Sequence, residues 1–412
     1  MTRSIIVGEV RTGRRITQIP VADASWTMVH RGIGTVDVDI PLGASDFAAL
    51  EKRIVGQFPG PNLWPSATTF PQEAGSVWRP GQGLRREFLS GLDPARCFLA
   101  VLEDDAVLEA GPVWAHDYNA ATGMLKVKAA GLRSLFDHRF VMGVIASGVD
   151  AAAWSATYSG LSLGTIAKRL IQLAMSHTGG NLPIVMPADE AGTSERTYYG
   201  YDLGVVGQRL DELMGVINGP DIALEPRLTA DRMGVEWVLR VGTEADPLLH
   251  QAGGDHVWDA RVPRGGVSGI SVTRDATNLA ARSWVTGSGM ESALLMEYTD
   301  DMTLVDVGFP LTETRESRGS IEDRTTAARW ASGNLDATAR PWQSWKFTTR
   351  ADMSPRLGSY RPGDLAKIWI PEADDYLSLM LPEGAHRARV LQVSGGMGDE
   401  VAITLAPVIE NR

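Results

Sequence analysis

The residues that come closest to a catalytic motif are Gly160, Ser162 and Gly164, in the run Gly-Leu-Ser-Leu-Gly. This is the pattern of a nucleophile elbow, where a strained turn exposes a serine hydroxyl for attack on a carbonyl carbon. The elbow needs a buried parallel strand just before the serine, yet residues 154–159 are largely polar. A serine that precedes an apolar period of 3.6 is also a common helix N-cap. The sequence therefore favours Ser162 as a helix cap, and a cell-wall hydrolase using it is kept as an alternative.

The histidines offer no recognisable metal or acid–base site. They are His30, His116, His138, His177, His250, His256 and His386. No two stand four residues apart, as a zinc-binding helix requires. His116 precedes Asp117, and Asp255 precedes His256, but neighbours along a strand point to opposite faces of the sheet. We therefore expect no catalytic residue and no metal ligand among them.

Carboxylates and glycine-rich turns give no clearer signal. The adjacent aspartate pairs are Asp104-Asp105, Asp300-Asp301 and Asp374-Asp375. All three stand at predicted turns, where aspartate is favoured for backbone reasons. Gly32 and Gly34 begin like a dinucleotide-binding loop, but the third glycine and the following helix are missing, so no cofactor is predicted. A glycosidase carboxylate pair leaves no local pattern, and this alternative stays open.

Charge and cysteine content exclude several classes of protein. The net charge of −11 argues against a surface that neutralises nucleic-acid phosphates. The acidic excess is concentrated in residues 151–255, with thirteen acidic and seven basic side chains. Cys97 is the only cysteine, which excludes an internal disulfide and a multi-cysteine zinc site. Because no signal peptide, glycosylation sequon or membrane-spanning run is visible, we expect assembly in a reducing cytoplasm.

The apolar periodicity changes twice along the chain. Alternation with period two predicts strands in residues 1–150, for example Thr35–Ile40, and again in residues 256–412, for example Leu365–Ile370. Residues 151–255 instead predict two helices and a β-hairpin. The predicted fold is therefore mainly β with α+β parts. Two β-barrel domains, 1–150 and 256–412, flank a small α+β domain of residues 151–255.

Five helices are predicted from caps and apolar periodicity. They are Asp46–Ile54, Leu132–Phe140, a helix capped by Ser162 that ends at Met175, a helix capped by Asp202 that ends near Ile217, and a helix of about 321–339. The last begins at a near capping box, Ser320-Ile-Glu-Asp323, with aspartate in place of the usual glutamate.

Residues 57–82 are rich in proline, which cannot donate to a strand ladder, and are predicted to form a long loop. Loops of this length in compact folds are usually functional or interfacial. Trp64 and Trp78 within it either form a contact surface or clamp the loop. A carbohydrate-binding module that uses these two tryptophans is the third candidate function.

One internal similarity is visible in the sequence. Gly111–Ala129 and Arg389–Leu405 each read as a strand, a turn containing methionine and a second, alternating strand. Two related β-barrels on either side of the α+β domain would produce this similarity.

Six stretches within residues 90–412 also form a set that points to one family. They are Thr157–Arg169, Arg196–Asp202, Asn218–Asp221, Arg264–Gly269, Arg340–Trp342 and Tyr360–Asp364. In these stretches the chain resembles minor tail proteins of siphophages that infect actinobacteria, which are similar to tail-hub and baseplate-hub proteins. The resemblance implies a non-enzymatic homotrimer at the tail tip. Each subunit would contribute two tail-tube-like β-barrels, so that three subunits form a pseudo-sixfold ring.

The same resemblance implies the partners and the location. The ring would close the tail tube, contact the distal tail protein and the tape measure protein, and join the sixfold tube to threefold tip proteins, including other minor tail or receptor-binding proteins. Phage DNA would pass through the lumen without specific binding, and a lumen lined by carboxylates would repel its phosphates. No membrane anchor is expected, and the protein would be a structural component of the virion tail.

Overall fold

The computed structural model describes residues 3–19, 21–42, 92–216, 218–262, 266–318, 321–372 and 376–408. The strands are β1 Arg3–Glu9, β2 Arg15–Ile19, β3 Asp23–Val29, β4 Thr35–Pro41, β5 Cys97–Glu103, β6 Ala106–Asn119, β7 Met124–Ala130, β8 Ser155–Leu161, β9 Ile184–Val185, β10 Ala191–Tyr199, β11 Ile222–Leu228, β12 Val235–Val241, β13 His256–Asp259, β14 Ser268–Asp275, β15 Arg282–Thr286, β16 Met296–Asp300, β17 Glu313–Ser317, β18 Trp342–Arg350, β19 Leu365–Ile370, β20 Gly384–Gly395 and β21 Glu400–Pro407. The α-helices are α1 Leu163–Met175, α2 Val206–Met214, α3 Thr303–Asp306, α4 Arg324–Thr338 and α5 Tyr376–Met380, and 3-10 helices cover Leu132–His138, Ala151–Ala153, Gly200–Asp202 and Glu291–Ala293.

One large sheet of 13 strands organises the chain. Its order is β14-β18-β21-β20-β3-β4-β7-β6-β5-β1-β2, and β19 joins β20 and carries β13. Within this sheet β13 pairs with β19 in parallel, and the other pairs are antiparallel. The smaller sheets in the described part of the chain are β8–β10, β9-β12-β11 and β16-β15-β17.

The burial of each strand follows from how many of its faces are covered. In β4 the apolar residues Val36, Val38 and Ile40 are buried, and the polar residues between them are more exposed, because only one face meets the core. In β5 all seven residues are buried. Alternate side chains of β5 enter two different hydrophobic clusters, one with β4 and one with the α+β part. The uninterrupted apolar run 97–102 is therefore a strand covered on both faces.

Two sets of five strands have the same topology. The first set is β3, β4, β5, β6 and β7, paired in the order β3-β4-β7-β6-β5. The second set is β14, β18, β19, β20 and β21, paired in the order β14-β18-β21-β20-β19. Strands that correspond also follow each other in the same order along the chain. The two sets are joined edge to edge where β3 pairs with β20.

A one-residue β-bulge lies at the same place in both sets. The skipped residues are Trp114 in β6 and Leu391 in β20. The pairs just before the bulges are Val113–Ala129 and Val390–Leu405. Because bulges are specific features of a strand pair, their shared position fixes the alignment of the two sets. The two similar segments seen in the sequence therefore lie on equivalent strands.

The α+β insert packs on the first set, against the face of β5 that points away from β4. Helix α1 buries Ile166, Leu170 and Ile171 in a cluster that also contains residues of β1, β5 and β6. Helix α2 and the β11–β12 hairpin complete this cluster. The hairpin and the helix from Ser162 to Met175 are as the sequence predicts.

Two other helices predicted before residue 255 differ from those in the structure. Residues Leu132–His138 form a 3-10 helix, which ends before Phe140. The helix predicted from Asp202 begins at Val206, because Asp202 belongs to a 3-10 turn that ends at Leu203 in the left-handed conformation (φ 43°). The chain must leave that conformation before an α-helix can start.

Residues 280–340 form a small unit of their own between β14 and β18. β15 pairs with β16 and β17, and α4 packs on β15 and β16 around Val285, Ala327 and Ala331. The amide of Thr326 donates to the Asp323 carboxylate at 2.8 Å. The helix predicted at about 321–339 is therefore present, with Asp323 as its N-cap.

The fold class predicted from the sequence, mainly β with α+β parts, is confirmed by the related strand sets on either side of the α+β insert. The predicted loop 57–82 with Trp64 and Trp78, the predicted helix Asp46–Ile54 and the residue Ser320 lie outside the described residues. The domain boundaries at residues 150 and 255 stay predictions.

The contact between Phe98 and Trp237 gives a stability prediction. Both rings are fully buried, and they pack edge to face at 5.5 Å between β5 and the insert. Phe98→Ala should lower the free energy of unfolding by about 3–5 kcal/mol, because it leaves a cavity between the two parts. Phe140→Ala is the control, since Phe140 is 51% exposed and its loss should change stability by less than about 0.5 kcal/mol. Equal urea midpoints for the two variants would contradict this packing.

Candidate functional site

Ser162 lies where a helix begins and not on a nucleophile elbow. Its hydroxyl accepts a hydrogen bond from the Thr165 amide at 3.2 Å and donates to the Thr165 hydroxyl at 3.1 Å. The side chain is buried, at 1% exposure. Among the described strands, the preceding strand β8 pairs only with β10, in a two-stranded antiparallel ribbon. An elbow serine would follow a central parallel strand and point to solvent. The prediction of a helix cap is confirmed.

The acid–base pairs considered from the sequence are split between different partners. Asp255 accepts from Arg387 at 2.9 Å, while His256 contacts Asp364 at 3.2 Å. Asp117 points to solvent, and His116 on the opposite face is half-buried. Throughout the described ranges, no three His, Cys, Asp or Glu side chains are grouped so that they could hold a metal ion. None of the helices in those ranges is long and apolar enough to cross a lipid bilayer.

Asp221 is a buried charge at the point where the insert meets both strand sets. Its carboxylate accepts from Arg31, in the turn between β3 and β4, and from Arg389 of β20 at 2.9 Å. The amide of Leu249 donates to the same carboxylate at 2.8 Å. Asp221 is 1% exposed. A single carboxylate therefore joins the first set, the second set and the insert.

His30 completes this buried cluster as a neutral group. Its Nε2 lies 3.5 Å from the Asp221 carboxylate. Burial lowers the pKa of His30 to about 4, and the neighbouring Arg389 and Arg31 act in the same direction against the opposing effect of Asp221. The imidazole is therefore uncharged at neutral pH, and the two arginines supply the positive charge that balances Asp221.

Glu109 is a second buried carboxyl, and it lines the same crevice as Arg31 and Asp221. It lies on β6 and is 9% exposed. Its Oε1 accepts from the Ala110 amide at 3.0 Å. Burial raises the pKa of Glu109 to about 8, so the carboxyl is protonated at neutral pH. Gly34 is required opposite it, because a Cβ there would lie 1.8 Å from Glu109 Oε2.

The solvent-facing side of β4 and β7 differs from these buried clusters. In β4 and β7 the charged residues Asp37, Asp39, Lys126 and Lys128 alternate with buried apolar residues. Cross-strand neighbours on this face are Asp37 with Lys128 and Asp39 with Lys126. The Lys126 and Asp39 side chains are 3.9 Å apart. In β18 of the second set, Lys346 lies on the equivalent solvent-facing side. This surface, the polar sheet face, carries charges of both signs.

Sequence reasoning missed Asp221 and Glu109 as central residues. Asp221 was visible only as the last residue of Asn218–Asp221, one of the stretches of the family resemblance. Nothing local marks Glu109 as buried, because the residues that cover it come from distant parts of the chain, such as Arg361. The acidic excess of residues 151–255 belongs to the insert, which packs across the core from the polar sheet face.

Removing the charge of Asp221 should loosen all three parts at once. We expect Asp221→Asn to lower the free energy of unfolding by about 3–5 kcal/mol, because Arg389 would keep a buried charge without its counter-ion. The matched control is Asp105→Asn, whose partner Arg232 is solvent-exposed like Asp105 itself, and which should change stability little. Urea unfolding measures both. A midpoint for Asp221→Asn equal to that of the control would contradict the role of the cluster.

Glu109 should make stability depend on pH. Between about 4.5, its ordinary pKa, and about 8, the folded state keeps the Glu109 proton and the unfolded state loses it. Stability from this group is therefore complete below pH 4.5 and falls as the pH rises toward 8. Glu109→Gln cannot ionise, so the wild-type protein should lose stability relative to this variant over that interval. Parallel pH profiles of the urea midpoint for the two proteins would contradict the buried, protonated carboxyl.

Comparison with known proteins gives matches at the level of structure. No protein-family model matches the chain, and no curated protein has a significantly similar sequence. The 43 kDa tail protein of prophage MuSo2 from Shewanella oneidensis superposes with a TM-score of 0.54 at 11% identity, over 98% of both chains. A tail protein from Neisseria meningitidis MC58 superposes with a TM-score of 0.53 at 11% identity, over 98% of this chain and 97% of the other. The chain therefore has the fold of phage tail proteins, which confirms at the level of the fold the resemblance drawn from its sequence.

Proposed function

We propose that this protein is a structural component of a phage tail, a trimeric hub at the tail tip that closes the tail tube. The fold shared with a prophage tail protein and with a second tail protein supports the tail assignment. The observation that carries the trimeric hub is the repeat of one five-strand set within a single chain. Three chains would supply six such sets.

A duplicated strand set suits a junction between sixfold and threefold symmetry. Six similar sets in a ring can contact a sixfold tube or a distal tail protein in nearly equivalent ways. The α+β insert and the unit of residues 280–340 occur once per chain, so they would repeat only threefold. The proposed division into domains 1–150, 151–255 and 256–412 follows the same logic. Threefold tip proteins and the tape measure protein would contact the parts that occur once.

The polar sheet face is suited to the inside of such a ring. Its aspartates and lysines alternate across neighbouring strands. A surface of mixed charge attracts the phosphates of DNA less than a basic groove does, so DNA could pass without specific binding. In this arrangement the acidic insert lies away from the lumen, and the mixed charges of the sheet would line it in place of the carboxylates that the family resemblance implies.

The hydrogen bonds of Ser162 support a role without catalysis. The hydroxyl is used by its own helix and is closed off from solvent. Asp255, His256, His116 and Asp117, the other acid–base candidates, have separate environments. We therefore propose a structural and not an enzymatic role for the protein in the virion.

Solution mass tests the proposed assembly. The purified chain should have three times the mass of one chain by light scattering and native mass spectrometry, and raised salt should change this little if backbone pairing joins the copies. Asp221→Asn serves as a comparison, since it weakens each subunit internally without altering the outer sheet edges. A chain that stays monomeric, or that forms a twofold dimer, would contradict the trimeric hub.

A further inference from the structure

The joint between the two strand sets provides a template for the joint between copies. Within the chain, β3 pairs with the last residues of β20: Val29 with Gln392, Met28 with Val393, Thr27 with Ser394 and Trp26 with Gly395. The amide of His30 extends this ladder by donating to the Leu391 carbonyl at 2.7 Å. The joint therefore consists of one edge strand of the first set and the part of β20 that follows its bulge.

The strand equivalent to β3 has no such partner in the described part of one chain. β14 occupies the place of β3 in the second set, and its recorded pairing is with β18. Six of its eight residues are exposed, and these include the last three, Thr273, Arg274 and Asp275. Among the described residues, the second set thus ends in a strand whose outer edge has no strand partner.

The strand equivalent to β20 also has one side without a strand partner among the described residues. β6 occupies its place in the first set, and after the bulge it pairs with β7 alone among the described strands. The amide of Ala95 reaches Val113 just before the bulge. Beyond that point Ala115, Asp117 and Tyr118 are exposed. This stretch corresponds to the part of β20 that receives β3.

The registers fix which residues correspond. Ala129 and Leu405 are equivalent because each pairs with the residue before a bulge. Counting two strands outward from each gives the series Ala129–Val36–Trp26 and Leu405–Trp345–Val272. Trp26 therefore corresponds to Val272, and Gly395, its partner, corresponds to Tyr118. The remaining positions follow one residue at a time.

We propose that β14 of one copy pairs antiparallel with the end of β6 of the next copy, in the register that β3 and β20 show within the chain. The expected pairs are Val272–Tyr118, Thr273–Asp117, Arg274–His116 and Asp275–Ala115. This inference rests on the proposed trimeric hub and names the surface through which the copies join. Each copy offers one edge of each kind, so the contact is head to tail, and in the proposed trimer it closes after three copies.

The side chains at these edges fit the pairing. Val272 and Tyr118 would pack as a β-branched and aromatic cross-strand pair. Burial lowers the pKa of His116, so Arg274 would face a neutral imidazole and meet no like charge. An edge carrying charged residues is protected from unspecific pairing, which leaves a defined partner such as a second copy.

Disulfide trapping tests the register directly. Cys97 is fully buried, so engineered cysteines would be the reactive thiols among the described residues. Asp117→Cys combined with Thr273→Cys should give covalent dimers and trimers after mild oxidation, and reduction should return the single chain. The pair Ala115→Cys with Asp275→Cys should do the same, which covers the case that one variant folds poorly.

Two control pairs calibrate the result. Thr27→Cys with Ser394→Cys occupies the equivalent positions of the observed joint, and it should close within one chain. Asp117→Cys with Arg274→Cys shifts the register by one residue, which turns the thiols to opposite faces and should abolish cross-linking between copies. Mixing the single variants Asp117→Cys and Thr273→Cys should give only dimers containing one chain of each.

The outcomes separate this inference from the proposed function. A protein that has trimeric mass and closes Thr27→Cys/Ser394→Cys, but forms no bond between copies in either test pair, would overturn the strand pairing and leave the hub intact. Equal cross-linking in the shifted pair would also overturn it. Monomeric mass would refute the trimeric hub and, with it, the contact between copies. Register-specific cross-links in a trimer support both.

Discussion

The backbone hydrogen bonds between β3 and β20 are the interaction on which the rest of the structure depends. They pair residues 26–29 with residues 392–395, and so join the two ends of the described chain into one sheet. Buried backbone donors and acceptors must be paired, so the two sets cannot separate without exposing this ladder. The hydrophobic cluster beneath continues across the joint, with Trp26 and Met28 beside Val393 and Ile403. Both the sheet and the hydrophobic core are therefore continuous across the joint between the two strand sets.

The charged cluster around Asp221 holds the insert to that boundary. Arg31 comes from the turn that follows β3, and Arg389 comes from β20, so both strands of the joint contribute to the cluster. A buried ion pair adds less to stability than to the choice of one arrangement, because desolvation offsets much of the attraction. The insert is thus fixed in orientation exactly where the two sets meet, and a rigid subunit is what a closed ring of identical copies requires.

Local patterns in the sequence predicted the local structure well. The strands Thr35–Ile40 and Leu365–Ile370 could be predicted from alternating apolar residues because one face of each strand is buried. The helix cap at Ser162 could be predicted because its hydrogen-bond partner, Thr165, lies only three residues ahead in the sequence. The similarity of Gly111–Ala129 to Arg389–Leu405 gave the repeat, since the two segments share a bulge position.

What the sequence could not provide depends on contacts between distant residues. The pairing of β3 with β20 joins positions more than 360 residues apart, and no local periodicity encodes such a partner. The burial of Glu109 and Asp221 has the same origin, because their neighbours come from other parts of the chain. The helix predicted from Asp202 is present but starts later than predicted, at Val206, because the left-handed residue Leu203 separates Asp202 from α2.

The central claim is that one sheet runs through the joint inside each copy and continues from copy to copy around an axis. Electron cryomicroscopy of the purified assembly measures this most directly. The account predicts a closed ring of three subunits with six similar strand sets, the polar sheet face lining the channel, and unbroken strand pairing across every boundary. A ring whose subunits touch only through the insert or through residues 280–340, with β14 and the end of β6 left facing solvent, would contradict it.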